Sequence, residues 1–159
     1  MRPSVFLRIA SILTLLHGVA HTAGGVFGVD ADPTPEEARV LQAMKSHRFD
    51  IMGSLRSFWD FFFGYGLFVS VAFFTQAFLF WWLASLAHKG SREIRPVIAC
   101  FFLGYLGFTI VAWNYFFLGP MIVEGLVAVC LAAAYLTLRS SREPSVVISV
   151  ASSVEPQIR

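Results

Sequence analysis

The stretch "WDFFFGYGLFVSVAFFTQAFLFWWLASLA" (residues 59–87) is longer and more apolar than any element that a small soluble domain could bury. A helix needs about 20 apolar residues to cross the hydrocarbon core of a bilayer. At about 1.5 Å per residue, Trp59 and Trp81 lie roughly 33 Å apart, close to one hydrocarbon thickness. Tryptophan favours the membrane–water interface. We therefore interpret this stretch as a transmembrane helix with an aromatic residue at each interface.

The rest of the chain has the same character, since 57% of its 159 residues are hydrophobic, 14% are charged and 17 are Phe. Three more stretches are long and apolar enough to span, and a turn at Gly119-Pro120 separates the last two. The sequence thus predicts an all-α four-helix transmembrane bundle, with spans at about residues 5–27, 59–87, 94–117 and 120–138. Membrane lipids are the expected partners, and the net charge of +2 gives no reason to expect nucleic acid.

The first span also has features of a secretory signal, because Arg2 and Arg8 accompany the apolar run and Gly18-Val19-Ala20 is a candidate cleavage site. The apolar run, however, continues well past the usual length of a signal. We therefore expect it to be retained as a span.

The distribution of basic residues predicts the orientation of the bundle. Four crossings put the N-terminus, the loop between spans two and three and the tail on one side, which carries Arg2, Arg8, Lys89, Arg92, Arg95, Arg139, Arg142 and Arg159. The positive-inside rule then places both termini in the cytoplasm and residues 29–55 outside a bacterial cytoplasmic (inner) membrane. Residues 140–159 are polar and predict a disordered cytoplasmic tail.

The outer loop contains an amphipathic segment at 34–52. Thr34-Pro35-Glu36-Glu37 has the pattern of a capping box with proline at the first helical position. An apolar stripe follows at helical spacing, formed by Val40, Leu41, Met44 and Ile51. The segment is either a lid that lies on the bundle or a connector that covers the ends of the spans, and amphipathicity does not distinguish the two.

Polar side chains inside the spans gather in the predicted outer half. His17 and His21 share one face of the first span, Asn114 lies near the outer end of the third, and Glu124 lies at the depth of His21. Ionisable groups within a membrane usually face the bundle interior and pair with each other. A Glu–His pair would serve acid–base chemistry, a proton relay or half of a metal site. The alternative is a hydrogen bond that only fixes helix packing.

Asp60 has a simpler explanation. Ser57-Phe58-Trp59-Asp60 is a Ser-x-x-Asp capping box at a helix start, where a negative charge is favourable. We interpret Asp60 mainly as a cap that also lies at the rim of a pocket. The aromatic walls of that pocket are predicted to be Trp59, Phe61, Phe62, Tyr65, Trp113 and Tyr115.

The histidines also raise the question of a metal. A His-x-x-x-His pair can ligate one ion, and Glu124, Asp60 or His47 could complete the set. No Glu-x-x-His pair is present, and Gly18 rather than a glutamate follows His17. No metal site is therefore predicted from these residues.

Two segments carry a resemblance, "MKSHRFDIMGSLRSFWDFFFGYG" (residues 44–66) and "HGVAHTAGGVFG" (residues 17–28). They resemble a bacterial family of small four-span membrane proteins with no established activity. The likeness would cover nearly the whole chain except the tail, and it implies the fold but no reaction. A looser architectural likeness is to emopamil-binding and sterol-isomerase-like proteins, which bury acidic, His, Asn and Trp side chains in a membrane bundle. No motif aligns well enough to transfer residues from them.

Three functions follow as hypotheses. The first is a pocket open to the outer leaflet that binds a hydrophobic or lipid-like small molecule, with His17, His21 and Glu124 as candidate catalytic residues in isomerisation or hydrolysis and Asn114 at the polar group. The second is a scaffold subunit of an oligomer or larger membrane complex, docked through Phe68, Phe73, Phe74 and Phe78. The third is metal or proton handling. The residues do not indicate a cofactor.

Overall fold

The computed structural model describes residues 2–29, 31–91 and 93–140. Its elements in chain order are α1 (Pro3–Ala20, continued as a π-helix over His21–Val26), α2 (Pro35–Ser46), β1 (Arg48–Ile51), β2 (Ser54–Ser57), α3 (Phe58–His88), α4 (Arg95–Tyr115) and α5 (Leu118–Ser140). Apart from Ser140, the predicted tail lies outside the described residues. We call the end of the bundle that carries α2 and the β1–β2 hairpin the hairpin end.

The helix α1 is central in the bundle, because it packs against α3 on one side and α5 on the other, while α4 packs against α5. The helices α3 and α4 meet through aromatic rings, with Phe80 and Phe101 5.0 Å apart between centroids. The most deeply buried apolar side chains come from all four long helices and form one core: Leu7, Ala10, Phe80, Ile98, Tyr105, Val127 and Leu131.

The outside of the bundle is as apolar as its inside. Leu16, Phe68, Phe78, Ile110 and Val129 are each more than half exposed. Four helices, at Pro3–Val26, Phe58–His88, Arg95–Tyr115 and Leu118–Leu138, are long and apolar enough to cross a membrane. The predicted four-helix fold is therefore confirmed, and it is consistent with a multi-pass membrane protein.

Both predicted capping boxes are present. The Asp60 carboxylate accepts a hydrogen bond from the Ser57 backbone N–H at 2.8 Å, and the Asp60 N–H donates to the Ser57 hydroxyl at 3.2 Å. Thr34 and Glu37 make the same reciprocal pair at the start of α2. Each box satisfies N–H groups that a helix start would otherwise leave without a partner.

The loop between α1 and α3 differs from the continuous segment expected at 34–52. The helix α2 ends at Ser46, His47 is extended, and Ile51 lies on a strand rather than on the stripe of Val40 and Met44. The chain leaves the helix at His47, whose ψ of 106° is extended, and Arg48–Ile51 then pairs with Ser54–Ser57 through a turn at Met52-Gly53 that has positive φ at both residues. The role of α2 as a lid stays a prediction.

The helices α1 and α3 approach each other closely at two glycines. A Cβ added to Gly18 would lie 2.9 Å from the Cβ of Phe73, and one added to Gly66 would lie 3.0 Å from a methyl of Val26. The π-helical turns over His21–Val26 bring Val26 to this interface, where it is buried. Small residues at such crossings let two backbones pack closely in a membrane.

Candidate functional site

The Glu124 carboxylate on α5 and the His17 ring on α1 form a pair inside the bundle. His17 Nδ1 lies 3.1 Å from Glu124 Oε1, and the side chains are 13% and 5% exposed. The His17 ring also packs against Phe73 of α3, at 4.4 Å between centroids. Three helices therefore position the pair, and α1 brings its histidine between the other two.

One oxygen of this carboxylate has no partner among the described residues. Glu124 Oε2 is buried and makes no hydrogen bond there, whereas Oε1 contacts His17. An unsatisfied buried acceptor costs about 1–3 kcal/mol, and more when it is charged. Such an atom requires an explanation: a ligand donor would give it a hydrogen bond, and a bound proton would remove the charge of the carboxylate.

A second polar pair lies one turn further from the hairpin end. Thr14 is three residues before His17 and therefore on the same face of α1, and its hydroxyl lies 3.2 Å from the Tyr105 hydroxyl of α4. Both side chains are fully buried. The four residues form a polar core that joins α1, α4 and α5, which we call the polar centre.

Gln76 adds a second buried oxygen, Oε1, with no hydrogen bond in the described part of the chain. It lies between Phe73, which contacts His17, and Phe80, whose ring lies 5.8 Å from that of Tyr105. Spacings of three and four place all three on one face of α3. The sequence reasoning missed Gln76, Thr14 and Tyr105. A glutamine in an otherwise apolar span was a visible signal for the first of them.

Depth along the spans placed His21 opposite Glu124, and this pairing was wrong. His21 Nε2 lies 3.0 Å from the Gly66 carbonyl oxygen of α3, while His17 takes the position beside the carboxylate. Depth was a poor guide because the rotation of each helix about its own axis decides which side chain faces a neighbour. His21 thus contributes to the α1–α3 contact, and its catalytic role stays a prediction.

Among the described residues, no hydrogen bond, ion pair or ring contact joins the other predicted ligand-binding residues to the polar centre. Trp113, Tyr115 and Tyr65 are mostly exposed at the hairpin end, and Asn114 donates a hydrogen bond to the Ile110 carbonyl of its own helix. Asp60 caps α3.

Trp59 lies beneath the Lys45 ammonium, 4.4 Å from Nζ to the ring centroid. The structure therefore does not bring these aromatic residues together with Glu124 as the walls of one pocket, and their contact with a ligand stays a prediction.

A surface cavity of about 400 Å³ lies at the opposite end of the bundle, between α3 and α4, and Glu124 is not part of it. Its lining includes Trp82, Glu93, Val97 and Phe101. Within residues 2–29, 31–91 and 93–140, no three His, Cys, Asp or Glu side chains are grouped as a metal ion would require.

Comparisons with protein-family models, with curated proteins and with solved structures found no match to this chain. The resemblance of residues 17–28 and 44–66 to a four-span family stays a prediction. The function of the polar centre is therefore inferred from its geometry alone.

Proposed function

We propose that this protein binds a hydrophobic small molecule within the membrane, and that the polar head of that molecule donates a hydrogen bond to Glu124 Oε2. The observation that carries the proposal is the buried Glu124 carboxylate, which has one oxygen held by His17 and the other without a partner in the part of the chain that the structure describes. A buried carboxylate is an expensive way to join helices, and ionisable groups within a span usually have a function.

The chemistry of the pair restricts the class of ligand. Glu124 Oε2 is an acceptor, so the matching head carries a hydroxyl or amine donor. The apolar body of the ligand would lie against the lipid-exposed side chains that surround the bundle. His17 fixes the orientation of the carboxylate through Oε1, and it is also a group that can take or give a proton beside a bound ligand.

The test is native mass spectrometry of gently solubilised protein, in which a co-purifying molecule is released and identified. The wild type is expected to carry it, and Glu124→Gln to lose it while remaining helical and monodisperse. His21→Ala is the matched control, because it removes the neighbouring histidine, which contacts Gly66 instead of Glu124. A ligand retained equally by Glu124→Gln, or none in the wild type, would overturn the proposal.

A proton is the second candidate ligand, and one observation favours it. The Glu124 carboxylate is buried, and its contact with the His17 ring at Oε1 gives a proton a route to it that needs no open cavity. His17, which is slightly exposed and bonded to the other oxygen, is placed to pass a proton to the carboxylate. Proton flux into reconstituted vesicles that Glu124→Gln abolishes would support this function, and no flux in the wild type would exclude it.

The scaffold alternative loses part of the surface on which it was based. Phe73 is buried against His17 rather than exposed beside Phe68 and Phe78.

We further propose, from the basic residues in the short loops, that the hairpin end faces away from the cytoplasm. The test is a fusion, after Ser140, of a reporter enzyme that works only outside the cytoplasm. Activity of that reporter would contradict the proposed orientation.

A further inference from the structure

The turn of the β1–β2 hairpin contains a residue that its backbone does not favour. Met52 and Gly53 form a two-residue connection in which both φ angles are positive, at 52° and 80°. This is the geometry of a type I′ turn, which strongly favours Asn-Gly or Asp-Gly. Met52 occupies the first position and its side chain is 100% exposed. Met52 breaks this turn preference and gains no packing in return, which indicates that the residue serves something other than folding.

The strand register shows which way the hairpin faces. Phe49 pairs with Arg56 and Ile51 pairs with Ser54, so these four side chains share one face of the hairpin. On that face, the Phe49 ring lies 4.8 Å from Phe58 and 6.2 Å from Phe61, nearly parallel to the latter. The hairpin therefore packs back along the first turn of α3 and does not project straight away from it.

This contact makes the hairpin face continuous with the lipid-facing surface of α3. Phe61, Tyr65 and Phe68 follow each other at spacings of four and three and are all exposed. Phe49 stacks on the first of them, and Ile51 and Met52, both exposed, extend the apolar surface to the tip. Exposed aromatic and apolar side chains at the end of a span lie at the level of the lipid headgroups.

We propose that the tip and this face of the hairpin form a lipid-binding surface that docks on the phospholipid headgroup layer of the same membrane. Ile51 and Met52 enter the boundary between headgroups and acyl chains. Arg56, on the same face, donates a hydrogen bond through Nη1 to the neighbouring Leu55 carbonyl and lies near enough to Asp60 for their charges to interact, and its guanidinium is suited to a lipid phosphate. The hairpin then anchors the first turn of α3 to the bilayer surface.

The first experiment measures the depth of the tip in phospholipid vesicles. A spin label is attached to Met52→Cys after Cys100 and Cys130 are replaced by Ala, and its collisions with dissolved oxygen and with a water-soluble nickel chelate are compared. Phe68→Cys is the control in lipid, and Gln42→Cys, opposite the apolar stripe of α2, is the control in water. The proposal predicts that the label at Met52→Cys is as accessible to oxygen, and as protected from the nickel chelate, as the label at Phe68→Cys. Accessibility to the nickel chelate equal to that of the label at Gln42→Cys would overturn the proposal. The tip would then lie in water, either free or as a site for a protein partner.

The second experiment separates lipid docking from hairpin stability. Met52→Asn supplies the residue that a type I′ turn prefers, so the hairpin is retained while its apolar tip is lost. A label on Ile51→Cys should then become more accessible to the nickel chelate, and Met52→Leu should leave it protected. Unchanged accessibility in Met52→Asn would mean that the tip does not dock. This outcome is independent of whether Glu124 binds a ligand.

Discussion

His17 Nδ1 lies 3.1 Å from Glu124 Oε1, which links the first helix of the bundle to the last. The residues are 107 positions apart in the sequence, and the contact requires that α1 pack against α5, which α1 does while also packing against α3. The pair therefore reports on the assembly of the whole bundle as well as on its chemistry.

Removing either member of this pair should destabilise the bundle, and removing both should cost less than the sum. His17→Leu removes the ring that contacts the Glu124 carboxylate, and Glu124→Gln replaces that carboxylate with an amide. We expect a coupling between about 0.6 and 1.7 kcal/mol, the average and the maximum for interhelical hydrogen bonds in a membrane protein. Reversible unfolding in detergent of the two single variants and the double variant measures it. Strictly additive losses would show that the two side chains do not interact.

The hydroxyl pair in the polar centre should respond asymmetrically to substitution. In Tyr105→Phe, the Thr14 hydroxyl can turn to the carbonyl four residues earlier on α1, so the loss should be below about 1 kcal/mol. In Thr14→Val, the Tyr105 hydroxyl stays buried without a partner, which costs about 1–3 kcal/mol.

The same unfolding assay ranks the two variants. An equal or reversed order would mean that the Tyr105 hydroxyl finds another hydrogen-bond partner.

Gly18 should not accept even one methyl group. A Cβ there would lie 2.9 Å from the Cβ of Phe73, which is fixed to its own backbone and cannot turn away. Gly18→Ala is expected to lower the free energy of unfolding by about 1–3 kcal/mol through overpacking. Gly64→Ala on α3 is the matched control, because apart from the backbone of α3 itself no atom of the described residues lies within 4 Å of the added atom. It should be neutral or stabilise by up to about 1 kcal/mol. A stable Gly18→Ala would contradict the close approach of α1 and α3.

The start of α2 should loosen at acid pH. Hydrogen bonds from the Thr34 hydroxyl and backbone N–H hold the pKa of the Glu37 carboxyl below its usual value. A lowered folded pKa gives stability that is present above the unfolded pKa and is lost as the pH falls through the folded one. Amide exchange in the first turn, corrected for its intrinsic pH dependence, should lose protection below about pH 4. Glu37→Gln keeps the capping box but has no titrating group, so this variant should not lose protection in the same pH range.

Structural features that depend on residues close together in the sequence could be predicted. Span length and apolar composition are one-dimensional signals, so the four helices were predictable, and the Ser57–Asp60 and Thr34–Glu37 boxes follow from spacing alone. The hairpin was not predictable, because Met52 stands where Asn or Asp usually precedes the turn glycine and the apolar spacing of Ile51 matched the preceding helix equally well.

The site was only partly predictable, because it depends on how each helix is rotated about its axis. Glu124 and His17 were chosen for their charge and burial cost, but the choice between His17 and His21 required the α1–α3 crossing at Gly18. Tyr105 gave no signal, since aromatic residues are common in this sequence.

The helix α3 is 31 residues long and therefore extends about 46 Å, whereas the hydrocarbon of an average bilayer is roughly 30 Å thick. Such an excess produces hydrophobic mismatch, which is relieved by tilting, by protrusion or by local thickening of the bilayer. Short-chain lipids form a thinner bilayer and should increase the tilt of α3. They should strain the shorter helices α4 and α5 less than they strain α3. The thickness of the host membrane would then act on the bundle mainly through its longest helix.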